Sequence, residues 1–490
     1  MDAALEPVLA VADVRAAEKS ARGAPLMERA GAAAAGVASA LLAARAGAVV
    51  VVAGPGNNGG DGFVVARRLR EAFHDVVVVF RDDAKKLPAD AARARAAWVA
   101  AGGATVDAPP QAQPALVVDA LFGIGIARPL APRHAELVAW ANGCGAPILA
   151  LDVPTGLNAD SGIATAPAIR AQATATFIAL KPGMLTAAGP DLCGEISVHP
   201  LDLALDAAAA PGHCLRWPAL AGALPEVLHR RARNAHKGSF GTLHVIGGAE
   251  GMYGAPLLAA RAALRLGAGK VVVGFAAKAH PAVDFVAPEL MLRAAGTTFA
   301  GADAIVIGPG LGMSTTARGL VAAAIATTVP LVLDADALNL VAADAGLRAA
   351  LRSRHAPRLL TPHPAEAARL RATDVSDIQH DRCAAARAIA HEFGAHVVVK
   401  GGGSVLAHPD GRYDVNASGN PALATAGTGD VLSGMLGALV AQRIDAADAL
   451  RIGVCLHGAA ADARLAQGIG PLGVPASTIA DAARDLVNAA

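Results

Sequence analysis

The sequence predicts a protein of two α/β domains, each built on a mostly parallel sheet with helices on both faces. Three observations carry this. At 490 residues the chain is longer than one compact core usually allows, since single cores stop growing near about 250–300 residues. Strongly apolar, β-branched runs alternate with amphipathic helical stretches, and strands apolar on both faces suit a buried parallel sheet. Two such series, each with its own glycine-rich turns, flank an Ala/Pro/Gly stretch at 201–215 that reads as a linker. The expected division is 1–210 and 215–490.

In the first half AVVVVAG (48–54) reads as a buried strand, FVVARRLREAF (63–73) as a helix and DVVVVF (75–80) as the next strand. Further strands are expected at 115–123, 146–154 and 174–180. In the second half, strands are expected at 241–248, 270–276, 303–310, 330–336, 357–363 and 396–403, with helices at 255–267 and 383–394 between them.

Charged residues make up 17% of the chain and the net charge is +1, which argues against a broad nucleic-acid footprint. Alanine accounts for much of the 54% hydrophobic fraction, and no run of about 18 strongly apolar residues reads as a membrane span. The N-terminus MDAALEPVLAVADVRAAEKS carries acids early and lacks a basic-then-apolar signal pattern. Cys144, Cys193, Cys214, Cys383 and Cys455 are scattered with no CxxC pair, as in a cytosolic enzyme with reduced thiols. A soluble, cytoplasmic protein with no nucleic-acid or membrane partner is therefore expected; that it forms a homo-oligomer and acts on small molecules is a further expectation that composition does not supply.

Gly54-Pro55-Gly56-Asn57-Asn58-Gly59 satisfies G-x-G-x-x-G between a strand and a helix, where free N–H groups at a helix N-terminus favour phosphate. The uninterrupted string GPGNNGGDG (54–62) is far more specific, because its paired asparagines add side-chain amides. Asn58, Asp119 and Thr155 fall just past strand ends, and amide, carboxylate and hydroxyl oxygens together suit a hard cation. The plainer alternative is that Asp119 and Asp152 only cap the turns that follow them.

With LMERAG (26–31), DALFGIG (119–125), DVPTGL (152–157) and KPG (181–183), the first half closely resembles the NAD(P)H-hydrate epimerase family, the YjeF N-terminal type, over roughly residues 5–205. The resemblance implies a Rossmann-like three-layer sandwich and a potassium ion held at Asn58, Asp119 and Thr155. It places substrate against Asn57, Asn58, Gly59, Gly60 and Asp61, against Gly123, Ile124, Gly125, Ile126, Ala127, Arg128 and Pro129, and against Asp152. Asp152 is the candidate acid/base, since inverting the hydroxyl-bearing carbon requires proton movement near the ring. One departure is Arg29, where asparagine is frequent among relatives.

In the second half, Gly427-Thr428-Gly429-Asp430 opens an apolar helix within NPALATAGTGDVLSGMLGALV (420–440). Converging N–H donors beside a carboxylate fit phosphoryl transfer to a hydroxyl, with Asp430 taking the proton. A glycine-rich helix start capped only for stability is the alternative. No G-x-x-x-x-G-K-[ST] is present, so the P-loop mechanism is excluded. Lys400-Gly401-Gly402-Gly403-Ser404 could let backbone approach a nucleotide, and IGPGLG (307–312) supplies another such loop. TPHPAE (361–366) lacks H-E-x-x-H spacing, and Pro364 interrupts a helix there, so zinc is disfavoured.

These strings, with HKGSFG (236–241), VIGG (245–248) and DADALN (334–339), resemble in order the ADP-dependent NAD(P)H-hydrate dehydratase family over roughly residues 225–488. The resemblance implies a ribokinase-like fold, with hydrated cofactor near Ala255, Gly312, His363 and Asp430 and the adenine nucleotide at Lys400, Gly401, Gly402, Gly403, Ser404 and Gly429. KGGGS stands where alanine and threonine are frequent, and AGTGD has threonine where serine is frequent.

The implied activity is repair of hydrated NADH and NADPH. One half epimerises the R and S forms. The other dehydrates the S form with ADP and magnesium, releasing AMP and phosphate. Hydroxide leaves poorly; phosphorylating the hydroxyl makes a good leaving group that the ring nitrogen can expel. Two rivals stand beside this reading: a vitamin- or sugar-type kinase, and an N-terminal half that only binds, since fold alone never fixes function.

Overall fold

The structure is a computed structural model that describes residues 5–21, 23–42, 45–125 and 129–490. It divides into two compact units, Glu6–Ala210 and Pro211–Ala490, Leu5 clustering with the second.

In the N-terminal unit seven strands form one sheet, in the order Thr105–Val106, Val76–Phe80, Val49–Ala53, Leu116–Ala120, Ile148–Leu151, Ala173–Phe177 and Glu195–His199. Every neighbouring pair is parallel. This is the strand order of a Rossmann-like sheet. The valine run shows why it is buried on both sides: Val49, Val51 and Ala53 pack into one apolar cluster, Val50 and Val52 into another. Strand side chains alternate faces, so the first cluster takes helices Leu26–Leu42, Asn57–Glu71 and Ala89–Ala100, the second helix Pro132–Gly143. Three layers result.

Helix Asn57–Glu71 begins inside the glycine string, six residues before the stretch expected to be helical from 63. Its first turn lies almost on the sheet. A Cβ at Gly59 would stand 2.0 Å from the Gly54 carbonyl oxygen, and one at Gly54 would stand 1.9 Å from that of Leu121. Side chains there would push the helix off the strand ends.

The C-terminal sheet runs Gly212–Leu215, Tyr413–Asn416, Val405–Ala407, His396–Val399, Arg358–Leu360, Leu331–Leu333, Ala304–Ile307, Thr242–Gly247, Lys270–Phe275 and Met291–Ala294. All pairs are parallel except the two made by Val405–Ala407. Helices cover both faces: Gly254–Arg265, Thr428–Ala441, Ala446–Ala466 and Ala476–Asn488 on one, Thr315–Ile325, Ala335–Ala343, Pro364–Arg371 and Arg382–Phe393 on the other.

Two expectations need correction. The stretch 201–215 is not all linker: Gly212–Leu215 is fully buried and pairs in parallel with Tyr413–Asn416. Pro364 does not interrupt a helix but starts one, Pro364–Arg371, with His363 as its N-cap. A proline at the first helical position loses no hydrogen bond.

Candidate active sites

The strand order of the N-terminal sheet reverses between Val49–Ala53 and Leu116–Ala120, and ligands of open α/β sheets bind at such a point. Asp119, near the end of its strand, is 1% exposed. Its Oδ1 accepts from Thr155 Oγ1 at 2.7 Å and its Oδ2 from the Thr155 N–H at 2.8 Å. Only one bond is local, from the Leu121 N–H at 3.3 Å, so Asp119 does more than cap a turn. Burial pushes its carboxyl up to about 6 against these donors. Asn58, in the first turn of its helix, has both its amide N and O buried without a partner. A buried carboxylate short of positive charge and an orphaned amide fit a cation bound through oxygen. Among the described residues no group of three or more His, Cys, Asp or Glu could hold a metal.

Asp152 sits at φ +66, a conformation rare outside glycine. Its Oδ1 accepts from Lys181 Nζ at 2.6 Å and its Oδ2 from the Ile124 N–H at 3.1 Å. Both partners are distant in sequence, so this carboxylate too is more than a turn cap. Gly123 admits it: a Cβ there would stand 2.6 Å from Asp152 Oδ2. Asn57 and Asp61 line a cleft of about 580 Å³ together with Glu18 and Phe177. Gly59 and Gly60 are buried against Gly54 and Met27, so only their backbone could meet a ligand. Gly125 and Pro129 are exposed; Ile126, Ala127 and Arg128 lie outside the described residues. Arg29 donates to the Leu201 carbonyl at 2.9 Å and pairs with Asp202 at 3.2 Å, which gives its departure a local use.

The C-terminal site forms around Asp334, 1% exposed and just past strand Leu331–Leu333. Its Oδ1 accepts from Thr361 Oγ1 at 2.7 Å and Lys400 Nζ at 3.0 Å, its Oδ2 from the Ser433 hydroxyl. Helix Thr428–Ala441 starts at Gly427, whose φ is +92, with no side-chain cap. Asp430 in its first turn is therefore not the capping group. Burial first, then the charges of Asp334, Asp336 and Glu366, push Asp430 up to about 7, with Lys400 pulling the other way. A Cβ at Gly429 would lie 3.3 Å from Lys400 Nζ, so this lysine reaches the helix start.

His363 Nδ1 accepts from the Ala365 and Glu366 N–H groups, while Glu366 Oε2 accepts from the His363 N–H at 2.8 Å. Burial raises Glu366 to about 7 and lowers His363 below its usual range. The Gly312 N–H donates to Asp336 at 2.8 Å, and a Cβ at Gly310 would meet that of Ala255 at 3.2 Å. The helix bearing Ala255 also meets Gly427 through Leu258. The loop after Lys400 is braced from below by Arg382, which donates to the Gly402 carbonyl at 2.7 Å and leaves no room for a Cβ on Gly401. Ser404 Oγ closes it, accepting from the Gly401 N–H at 3.2 Å. His363, Lys400, Gly429 and Asp430 thus gather around Asp334, with Gly312 tied to Asp336 and Ala255 set against the Gly310 loop.

Sequence reasoning assigned no role to Lys181, Glu18, Asp334, Ser433, Glu366 or Arg382. Lys181, Asp334, Glu366 and Ser433 stood inside the quoted KPG, DADALN, TPHPAE and NPALATAGTGDVLSGMLGALV strings. A charged residue directly after an apolar strand was the available signal for Asp334.

The family model described as YjeF-related protein N-terminus matches residues 23–183, and that described as NAD(P)H-hydrate dehydratase matches 243–484. The bifunctional NAD(P)H-hydrate repair enzyme of Coxiella burnetii is 38% identical over 87% of this chain and 88% of its own length. The ADP-dependent (S)-NAD(P)H-hydrate dehydratase of Neisseria meningitidis is 49% identical over 54% of this chain and 90% of its own length. Among solved structures, an ADP/ATP-dependent NAD(P)H-hydrate dehydratase from Bacillus subtilis, co-crystallised with ATP and Mg2+, is 29% identical with a TM-score of 0.48, over 56% of this chain and 97% of that one. With both halves matched and a relative of this identity spanned almost end to end, the chain belongs to the bifunctional NAD(P)H-hydrate repair enzymes.

Proposed function

We propose that the N-terminal unit epimerises the R and S forms of hydrated NADH and NADPH, and that the C-terminal unit dehydrates the S form with ADP, releasing AMP and phosphate. The observation that carries the second half is Asp430, an acid at an uncapped helix start whose carboxyl burial and neighbouring charges push up to about 7. A base titrating near neutral pH takes a hydroxyl proton efficiently. The N–H groups of the Gly427–Gly429 turn hold the transferring phosphoryl group, and Lys400 neutralises charge beside it. Phosphorylated, the hydroxyl departs as phosphate while the ring nitrogen donates its pair.

Magnesium, bound with the nucleotide, would supply positive charge to its phosphates. The carboxyl groups around Asp430, those of Asp334, Asp336 and Glu366, would favour a cation that arrives with the nucleotide, without forming a ligand set of their own among the described residues. In the N-terminal unit Asn58, Asp119 and Thr155 would hold potassium, which would balance the buried carboxylate and anchor a negatively charged ligand. Proton movement at the ring carbon falls to a carboxyl group of this unit. The two activities belong on one chain because a dehydratase restricted to one epimer leaves the other to accumulate.

The test is to give the purified chain pure R or S hydrated NADH with ADP and follow the absorbance of NADH. Full recovery from both epimers, with AMP formed in step, is expected. Recovery from S alone would remove the epimerase, and a stable phosphorylated product without NADH would favour the kinase rival.

A further inference from the structure

Among the described residues, Asp61 and Glu18 line the N-terminal cleft, and the Asp152 carboxylate lies near enough to act on both. Asp152 is committed on both oxygens, to Lys181 Nζ at 2.6 Å and to the Ile124 N–H at 3.1 Å. Lys181 is wholly buried and is itself fixed, donating to Thr176 Oγ1 at 2.7 Å and to the Phe177 carbonyl at 2.9 Å. Asp61 and Glu18 instead line the cleft, from helices Asn57–Glu71 and Val11–Ser20.

Other charged groups on the cleft wall are engaged elsewhere. Glu28 pairs with Arg67 and Arg68, and Arg93 with Asp90. Arg15, on the helix of Glu18, and Lys181 are the cations that act on Glu18, opposed by burial and the Asp152 charge. Among the described residues Lys181 and Arg15 face the three carboxyls Asp61, Glu18 and Asp152, an excess of negative charge that a bound proton relieves. Burial, then the charges of Asp152 and Glu18, push Asp61 well above the usual carboxylate range.

We propose that Asp61 is the proton-carrying catalytic group of the epimerase half, with Glu18 lining the same cleft and Asp152–Lys181 serving as a fixed ion pair. This rests on the reading of that half as an epimerase. Asp61 gives its proton to the hydroxyl on the carbon next to the ring nitrogen. The C–O bond breaks with its electron pair leaving on water, and the nitrogen lone pair forms C=N. Water then adds to the opposite face, the C=N pair returns to nitrogen, and the surplus proton of the added water passes to solvent in the cleft, from which Asp61 is reprotonated. No redox partner is needed, and the site ends as it began. The Asp152 carboxylate stabilises the cationic ring between the two steps. This is a division of two carboxyl roles by environment.

Epimer interconversion by the full chain without ADP, followed by chromatography from acidic to mildly alkaline pH and corrected for the uncatalysed rate, tests this. The wild-type rate should fall as pH rises through the titration of Asp61. Asp61→Asn should lose about 100- to 10,000-fold in kcat with KM little changed, and Asp61→Glu should recover part of it. Glu18→Gln removes a neighbouring negative charge, so the falling limb should move to lower pH, which a merely structural glutamate would not cause. An unmoved limb in Glu18→Gln, or Asp61→Asn within a few-fold of wild type, overturns the inference. Should Asp61→Asn fail to fold by thermal unfolding, the limb of Glu18→Gln decides alone. A wild-type chain no faster than background would instead sink the epimerase reading itself.

Discussion

Asp430→Asn separates catalysis from stability, because the structure predicts opposite signs for the two. Asparagine is nearly isosteric, and the helix start needs no side-chain cap from this position. What is lost is a base that burial and three neighbouring carboxylates push up to about 7. Dehydration should fall about 100- to 10,000-fold, the usual contribution of a positioned base, with nucleotide binding little changed. Stability should move the other way. A carboxyl raised from 3.8 to about 7 destabilises the fold at neutral pH by up to about 4 kcal/mol, at about 1.36 kcal/mol per unit.

The sign follows from proton linkage. Below the unfolded value both states are protonated and nothing is lost. Between the two values the folded chain holds a proton the unfolded chain has released, so stability falls as pH rises. Above about 7 the full penalty remains. Asp430→Asn should therefore melt at the same or a higher temperature than wild type at neutral pH, the gain shrinking in acid. The assay is ADP-driven recovery of NADH from the pure S epimer, beside thermal unfolding at several pH values. Near-wild-type turnover in a stably folded variant would refute the base assignment. A large stability loss would refute the electrostatic account.

Further consequences can be checked in the same way. In wild type the dehydration rate should rise with pH to a limb near 7, as Asp430 loses its proton; a rate independent of pH there would count against it. Lys400→Met leaves Asp334 buried without its cation, which should cost about 3–5 kcal/mol in stability, read by chemical denaturation, and should weaken nucleotide binding. Asp119→Ala should abolish the potassium response of epimerisation while dehydration of the S epimer stays near normal; full epimerase activity at low potassium would remove Asp119 from the site. Residues 1–210 and 211–490 should fold separately, whereas a C-terminal fragment starting at 216 lacks the buried strand Gly212–Leu215 and should be measurably less stable.

Much of the fold was legible because its signals are local. Val49–Val52 announces a strand buried on both faces, and GPGNNGGDG announces the close turn of chain at its end. Strands at or next to the sheet edges were not legible. Met291–Ala294 is mostly exposed, Tyr413–Asn416 carries Asp414 and Asn416 among its four residues, and Gly212–Leu215 hides in Ala/Pro/Gly surroundings. The turn HPDGR (408–412) between two unforeseen strands carried an Asp-Gly signal that was available.

For the sites, the sequence by itself determined which segments carry chemistry, since a glycine-rich turn or an acid opening a helix needs a particular residue at a particular place. Only the tertiary structure decided what those residues do. Asp152 and Lys181 are 29 positions apart, and Asp334 and Ser433 are 99 apart. Whether a carboxyl is ion-paired like Asp152, pushed up like Asp61 or Asp430, or wedged between a threonine and a turn like Asp119 depends on burial and on charges brought in from other strands. Those terms fall off over a few ångströms of space, and separation along the chain carries no record of them.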